Sequence, residues 1–243
     1  MIVMQYANNG SLLSYLDQNI NKLTWRMKVD RLRSIALYLY EIHNTGLVHC
    51  DLHGGNIVLE SSAPFICDLG LSQSVNSRKS NSTIQGVLPF IAPEVFHICK
   101  FTQKSDVYSF GIIMYLIATG EPPFRDREFD RDLLYDIMGG LRPSMPDSAP
   151  EKYKKLAERC CDADPDKRPD ALTLWHDINN LIEEADKDDN TWNTIYHNDV
   201  KPLSRLEKES KYSSTLLPTG DLPKPRNNYD LDSAAGMVTR WYK

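Results

Sequence analysis

At 243 residues with 41% hydrophobic content, the chain can bury one sizeable core and still leave a tail. Its 28 basic and 33 acidic side chains leave a net charge of -5 and no basic excess, which excludes the electrostatic footprint of a nucleic-acid or acidic-membrane binder. Five cysteines without a CxxC pair argue for reduced thiols in a cytoplasmic protein, against a disulfide framework or a zinc site. The N-terminal apolar run lacks the basic segment of a signal peptide. The uncharged apolar stretch 107–120 falls short of the ~20 residues that span a bilayer.

In chain order, Ser11 is placed to cap a short helix carrying Leu12, Leu13, Tyr15 and Leu16, because a serine hydroxyl accepts from the unbonded amides of a first turn. Thr24 caps the next, in which Val29, Leu32, Ile35, Ala36, Leu39 and Ile42 recur at helical spacing. Asn44-Thr45-Gly46 ends it with turn chemistry. Residues 57–60 read as a strand, 61–64 as a turn and 65–67 as a returning strand. From Asp68 to Glu94 no periodicity holds and Ser and Asn crowd 72–82, so a long functional loop is predicted. A buried helix follows from Ser105, Pro122-Pro123 interrupts the chain, and further helices are predicted over 132–139, 151–161 and 171–185. Beyond Asp186 the composition turns polar and gains Pro202, Pro218, Pro223 and Pro225. Such a segment buries too little apolar surface to offset its ordering entropy, so 186–243 is predicted to be a largely disordered tail, with Trp192, Tyr196 and Trp241 isolated in it.

The stretch His49-Cys50-Asp51-Leu52-His53-Gly54-Gly55-Asn56, with Asp68-Leu69-Gly70 after the hairpin, carries the chemistry. A hairpin of this length sets its two ends side by side, so Asn56 and Asp68 can offer oxygens to one hard divalent cation. Asp51, on the preceding loop, is left to orient an attacking hydroxyl. One aspartate as base with an Asn and an Asp on metal is the arrangement of protein kinases.

On these motifs the chain resembles the C-terminal lobe of a eukaryotic protein kinase of the tyrosine-kinase-like group, over roughly residues 1–185. Ala92-Pro93-Glu94, Ser105-Asp106-Val107-Tyr108-Ser109-Phe110-Gly111 and Asp164-Pro165-Asp166-Lys167-Arg168-Pro169 follow in the family's order. The resemblance implies an α+β protein kinase-like fold, here a mainly α-helical lobe with a small β-hairpin carrying the metal ligands, as a domain over 1–185 made of hinge and C-terminal lobe. It implies ATP and Mg as cofactors and a protein substrate. Met4 matches the gatekeeper, the Gln5 carbonyl and Ala7 amide match the adenine contacts, and Val58 matches the floor beneath the adenine. Asp51 and His53 take the catalytic positions, with Asn56 and Asp68 on the metal. By the same resemblance His49 is structural, packing on Leu69; Asp106 anchors the catalytic loop; and Glu94 and Arg168 form a buried pair that holds the activation segment.

Several positions depart from the family pattern. Cys50 replaces the arginine that usually precedes the catalytic aspartate, removing a guanidinium that would hold phosphate on Ser80, Ser82 or Thr83. His53 stands where serine/threonine kinases carry a lysine, and neutral imidazole neutralises a transferring phosphate less well. Val87 and Pro89-Phe90 match neither substrate class, so serine/threonine and tyrosine specificity both stay open. By this resemblance the chain begins at the hinge, without the glycine-rich loop and strand lysine. It is expected to bind nucleotide weakly, to transfer no phosphate by itself, and to self-associate through apolar residues such as Met4 and Leu69. A non-catalytic half-kinase that binds partners is the alternative; a small-molecule phosphotransferase shares Asp-Leu-His-Gly-Gly-Asn but not the later motifs.

Overall fold

Ser11 Oγ accepts from the Ser14 amide and Thr24 Oγ1 from the Met27 amide, both at 3.3 Å, so α1 (Leu12–Asn19) and α2 (Trp25–Asn44) start at the two predicted caps. The computed structural model describes residues 7–61, 63–77, 84–195, 212, 214–217 and 222–227. After α2 the chain forms β1 (Leu47–Val48), the hairpin β2 (Ile57–Glu60) and β3 (Ala63–Ile66), β4 (Gln73–Ser74) and β5 (Ile84–Gly86). Helices then dominate: α3 (Pro93–Ile98), α4 (Gln103–Thr119), α5 (Arg131–Met138), α6 (Glu151–Cys160), α7 (Ala171–Ala185) and α8 (Asp189–Trp192), followed by β6 (Thr215–Leu217). The described strands make three antiparallel pairs, β1 with β4, β2 with β3, and β5 with β6.

The core centres on α4, which is buried along almost its whole length between α2 and α6. That burial explains why 107–120 is uncharged without being stripe-patterned. A reciprocal capping box between Thr102 and Ser105 starts the helix. Gly120 ends it at φ +73, where a Cβ would lie 2.6 Å from Ile20 Cγ1, so only glycine fits. Helix α2 packs on α7 and β3.

Three expectations are corrected. The hairpin turn is tighter than 61–64: Ser61 takes the left-handed conformation at φ +48 and β3 begins at Ala63, opposite Glu60. Pro64 pairs with Leu59 in a two-stranded ribbon, where a residue lacking an N–H is tolerated at an edge. Next, the 68–94 loop contributes β4, β5 and a 3-10 turn over Leu88–Phe90 to the body of the protein. Finally, the predicted disorder of 186–243 does not hold for its described part. Trp192 is buried to 1% exposure, Tyr212 is buried, and the Trp25 amide donates to Thr194 O at 3.2 Å. A few large aromatic anchors do what average composition could not. Tyr196 and Trp241 lie outside the described residues.

Lys28 is fully buried on α2, with Nζ donating to Ala118 O at 2.6 Å and lying 4.4 Å from the Trp25 ring centroid. Burial drives its pKa down to about 7. Between there and the ordinary lysine value of 10.5, the unfolded chain binds a proton that the folded chain does not, so stability rises with pH across that window. Urea unfolding of Lys28→Met beside the wild type should therefore show the wild type gaining up to ~1.4 kcal/mol per pH unit relative to the variant from pH 7 to 10. A parallel pH dependence of the two proteins would refute it.

Candidate active site

The site is built from a loop that cannot hold itself. Residues 49–56 form neither helix nor strand, and Cys50 sits at φ +71. The loop is fixed from below by Asp106 on the first turn of α4, at 1% exposure. Its Oδ2 accepts from the His49 amide at 2.8 Å and its Oδ1 from the Cys50 amide at 3.0 Å. His43 Nε2 lies 2.8 Å from the same Oδ2, and since an ionised carboxylate only accepts, that nitrogen carries the proton.

His49 ties the loop to the hairpin. Its Nδ1 accepts from the Asp51 amide at 3.3 Å, which leaves the proton on Nε2, 3.2 Å from Cys67 O. One buried ring thus connects Asp51 to the residue before Asp68, while Leu69 is 50% exposed. Beside it, the pairing of β2 with β3 continues one residue outward: the Cys67 amide donates to Asn56 O at 2.9 Å. Asn56 and Cys67, the residue before Asp68, therefore face each other at the open end of the hairpin.

Around Asp51 the donors converge. Asn56 Nδ2 donates to Asp51 O at 2.9 Å and to Asp51 Oδ2 at 3.1 Å. Both partners are acceptors, which orients the amide and turns Asn56 Oδ1 away from Asp51. His53 Nδ1 accepts from the Gly55 amide at 3.1 Å, so its Nε2–H faces Asp51 Oδ2 at 3.6 Å. Ser214 Oγ lies 2.8 Å from Asp51 Oδ1 and 2.7 Å from Oδ2. Burial by itself would raise the Asp51 carboxyl, but the hydrogen bond and electrostatic attraction of the His53 N–H, with Ser214 and Asn56, outweigh it and hold the group below the ordinary carboxylate value. Asp51 is an ionised acceptor at neutral pH.

For a cation, Asn56 Oδ1 and the exposed Asp68 carboxylate are a sparse oxygen set, with Asp68 Oδ1 also accepting from the Gly70 amide at 3.1 Å. Among the described residues no group of three His, Cys, Asp or Glu side chains could hold a metal. One carboxylate and one amide oxygen fit Mg2+, which keeps waters and shares ligands with a phosphate. Ala7 lies in a turn, its O accepting from the Gly10 amide at 3.2 Å. The next residues run along β2, through Asn9 N to Leu59 O, Leu59 N to Gly10 O and a bridge from Ser11 to Val58. Met4, Gln5, Ser80, Ser82 and Thr83 lie outside the described residues.

A family model described as protein tyrosine and serine/threonine kinase matches residues 1–178. The chain belongs to this protein kinase family. It is 32% identical over 184 residues, 74% of its length, to a protein of Acanthamoeba polyphaga mimivirus named as a serine/threonine-protein kinase/receptor. It is 32% identical over 198 residues, 76% of its length, to the serine/threonine-protein kinase roco8 of Dictyostelium discoideum. A further serine/threonine-protein kinase of that organism matches at 28% over 207 residues. The chain spans 11%, 11% and 13% of the lengths of these three relatives.

Other kinase features sit where the resemblance implies. Glu94 and Arg168 form a buried bidentate pair, both contacts at 2.7 Å, and Arg168 also donates to Asp162 O and Lys104 O. Cys50 Sγ donates to Val48 O at 3.4 Å, and burial pushes its thiol up to about 12, so it is an inert filler of that position. Sequence reasoning missed His43, although it sits at helical spacing from Leu39 and Ile35 on the inward face of α2. It also missed Ser214, which lies 163 residues from Asp51 in a polar tail with no local signal.

Asp106→Ala removes the acceptor of two buried amides and of the His43 ring, so it should cost about 3 kcal/mol or more in urea unfolding. Amide exchange at His49 and Cys50 should accelerate well beyond that at β2. Unchanged protection of those two amides would count against Asp106 as the anchor of the loop.

Proposed function

We propose that this chain is the hinge and C-terminal lobe of a serine/threonine protein kinase of the tyrosine-kinase-like group, transferring a phosphoryl group to a protein hydroxyl. The observation that carries the reading is the buried, ionised Asp51 carboxylate accepting a serine hydroxyl at 2.7 Å beside Asn56. A carboxylate so held is matched to orient an alcohol nucleophile and to take its proton. Serine/threonine specificity is supported by the names of the relatives and by the size of the acceptor that the site accommodates.

In this reading Asn56 and Asp68 hold Mg2+, and the Ala7 amide, Gln5 carbonyl and Val58 hold the adenine. When bound, Mg-ATP would supply the transferable phosphoryl group and the neutralisation of its charge. The protein's own part is positional. Asp51 orients the hydroxyl, Asn56 fixes Asp51 through its amide nitrogen, and His53 presents an N–H to the same carboxylate. Asp106 and His49 hold all three in register. Burial of Glu94 with Arg168 supports a protein substrate, since the pair braces the 68–94 segment that borders Asp51. Among the described residues no helix is long and apolar enough to cross a membrane. Self-association through the exposed edge at Leu69 is part of the proposal and is checked by concentration-dependent light scattering of the wild type against Leu69→Ser.

Two readouts separate the roles. Binding of a fluorescent ATP analogue, titrated with and without Mg2+, should weaken about tenfold or more in Asp68→Ala and lose its Mg2+ dependence, whereas Asp51→Asn should stay within about twofold of the wild type. With an N-terminal kinase lobe joined to the chain, phosphoryl transfer to a serine-containing protein substrate should fall at least ~100-fold in both variants. Mg2+-dependent binding that survives Asp68→Ala would refute the metal assignment. Retained transfer by Asp51→Asn would refute the base.

A further inference from the structure

The tail returns to the active site as an extended strand. Strand β6 runs antiparallel to β5, with Thr215 opposite Gly86, Leu216 opposite Gln85 and Leu217 opposite Ile84. Strand β5 belongs to the segment that borders the catalytic loop. A Cβ on Gly86, at φ +154, would lie 3.5 Å from Asp51 Oδ1 and 2.9 Å from Ile91 Cδ1. The residue before β6, Ser214, reaches both Asp51 carboxylate oxygens at 2.8 and 2.7 Å. Its single hydroxyl proton is shared between them.

The approach is anchored on both sides. Tyr212 is buried, its hydroxyl donating to Pro123 O at 3.1 Å and its ring meeting Phe129 edge to face at 5.0 Å. Downstream, the Arg226 amide donates to Met138 O at 2.9 Å. Asn227 bridges the Ala163 amide and Asp162 with its side chain. Leu217 packs against the core while Leu216 is 70% exposed, so a strand this short buries little apolar surface of its own. What the pairing delivers instead is a hydroxyl to the one carboxylate that accepts from Asn56 and faces His53.

We propose that residues 214–217 are an acceptor segment carried in cis: they occupy the path of a protein substrate, with Ser214 as the acceptor hydroxyl, and phosphorylation of Ser214 releases them. The inference rests on the kinase reading above and adds the identity of one acceptor and its regulatory consequence. In the transfer, a bond forms from Ser214 Oγ to the terminal phosphorus of a nucleoside triphosphate as the bond to the nucleoside diphosphate oxygen breaks. The hydroxyl proton leaves through Asp51 to solvent. The product phosphate, carrying roughly -1.5 to -2 charges, then faces the Asp51 carboxylate at contact distance, and like-charge repulsion expels the strand and opens the path.

Amide hydrogen exchange on the full 243-residue chain, without nucleotide, tests the docking and the release. Leu216→Pro removes a donor from β6 and sets the exchange rate of the undocked 84–86 segment. The wild type should exchange there at least about tenfold more slowly than Leu216→Pro. Ser214→Glu should raise 84–86 exchange to the Leu216→Pro rate. Ser214→Glu combined with Asp51→Asn should restore protection, because the repulsion needs both carboxylates. A purely structural tail strand would not be rescued by that second change. Equal exchange in wild type and Leu216→Pro, or Ser214→Glu indistinguishable from wild type, would overturn the proposal. So would release by Ser214→Glu without rescue. These outcomes need no phosphoryl transfer, so they leave the kinase reading to the nucleotide-binding test of Asp68→Ala.

Discussion

A carboxylate at 1% exposure is costly unless its lone pairs are used, and Asp106 uses them on the His49 and Cys50 amides and the His43 ring. Those amides belong to a loop whose backbone is neither helical nor extended and whose residue 50 is left-handed without being glycine. Such a conformation persists only where its surroundings over-determine it. Because Asp106 rides on the first turn of α4, the most completely buried helix, the position of Asp51 is referred to the core of the protein. Everything chemical at the site inherits that reference.

The second support is lateral. His49 accepts from the Asp51 amide and donates to Cys67 O, so Asp51 and the last residue before Asp68 are tied together. Asn56 repeats the connection from the other side, through its backbone to Cys67 and through its side chain to Asp51. Asp51, Asn56 and the residue before Asp68 are thus fixed relative to one another by hydrogen bonds within the protein. Preorganisation of this kind is what phosphoryl transfer asks of a protein, because its transition state needs placement and charge more than covalent help.

Glu94 and Arg168 do for the 68–94 segment what Asp106 does for the loop. Their bidentate pair is buried, and Arg168 also serves Asp162 O and Lys104 O, so the guanidinium has defined partners on several sides. A buried pair of this sort need not add net stability, but it fixes where the chain passes. Fixing that passage leaves β5 as an edge strand beside Asp51. An edge strand offers unpaired backbone groups, and here the tail takes them.

Much of this was legible in the sequence. The Ser11 and Thr24 caps, the helical spacing of α2, the uncharged run of α4 and the intervals between Asp51, Asn56 and Asp68 depend on local chemistry and short-range geometry, which a linear reading captures. The turn at Ser61 was misplaced because Pro64 reads as a turn residue, while an edge strand tolerates it. The order of the described tail was hidden because composition averages over Trp192 and Tyr212, whose burial depends on grooves formed by distant elements. His43 and Ser214 act through partners 63 and 163 residues away. The sequence by itself determined how the helices begin and end and which motifs mark the kinase family. Only the tertiary structure decided what occupies Asp51, because the contact between a tail serine and that carboxylate exists only once the body of the protein has folded and left β5 open to pair.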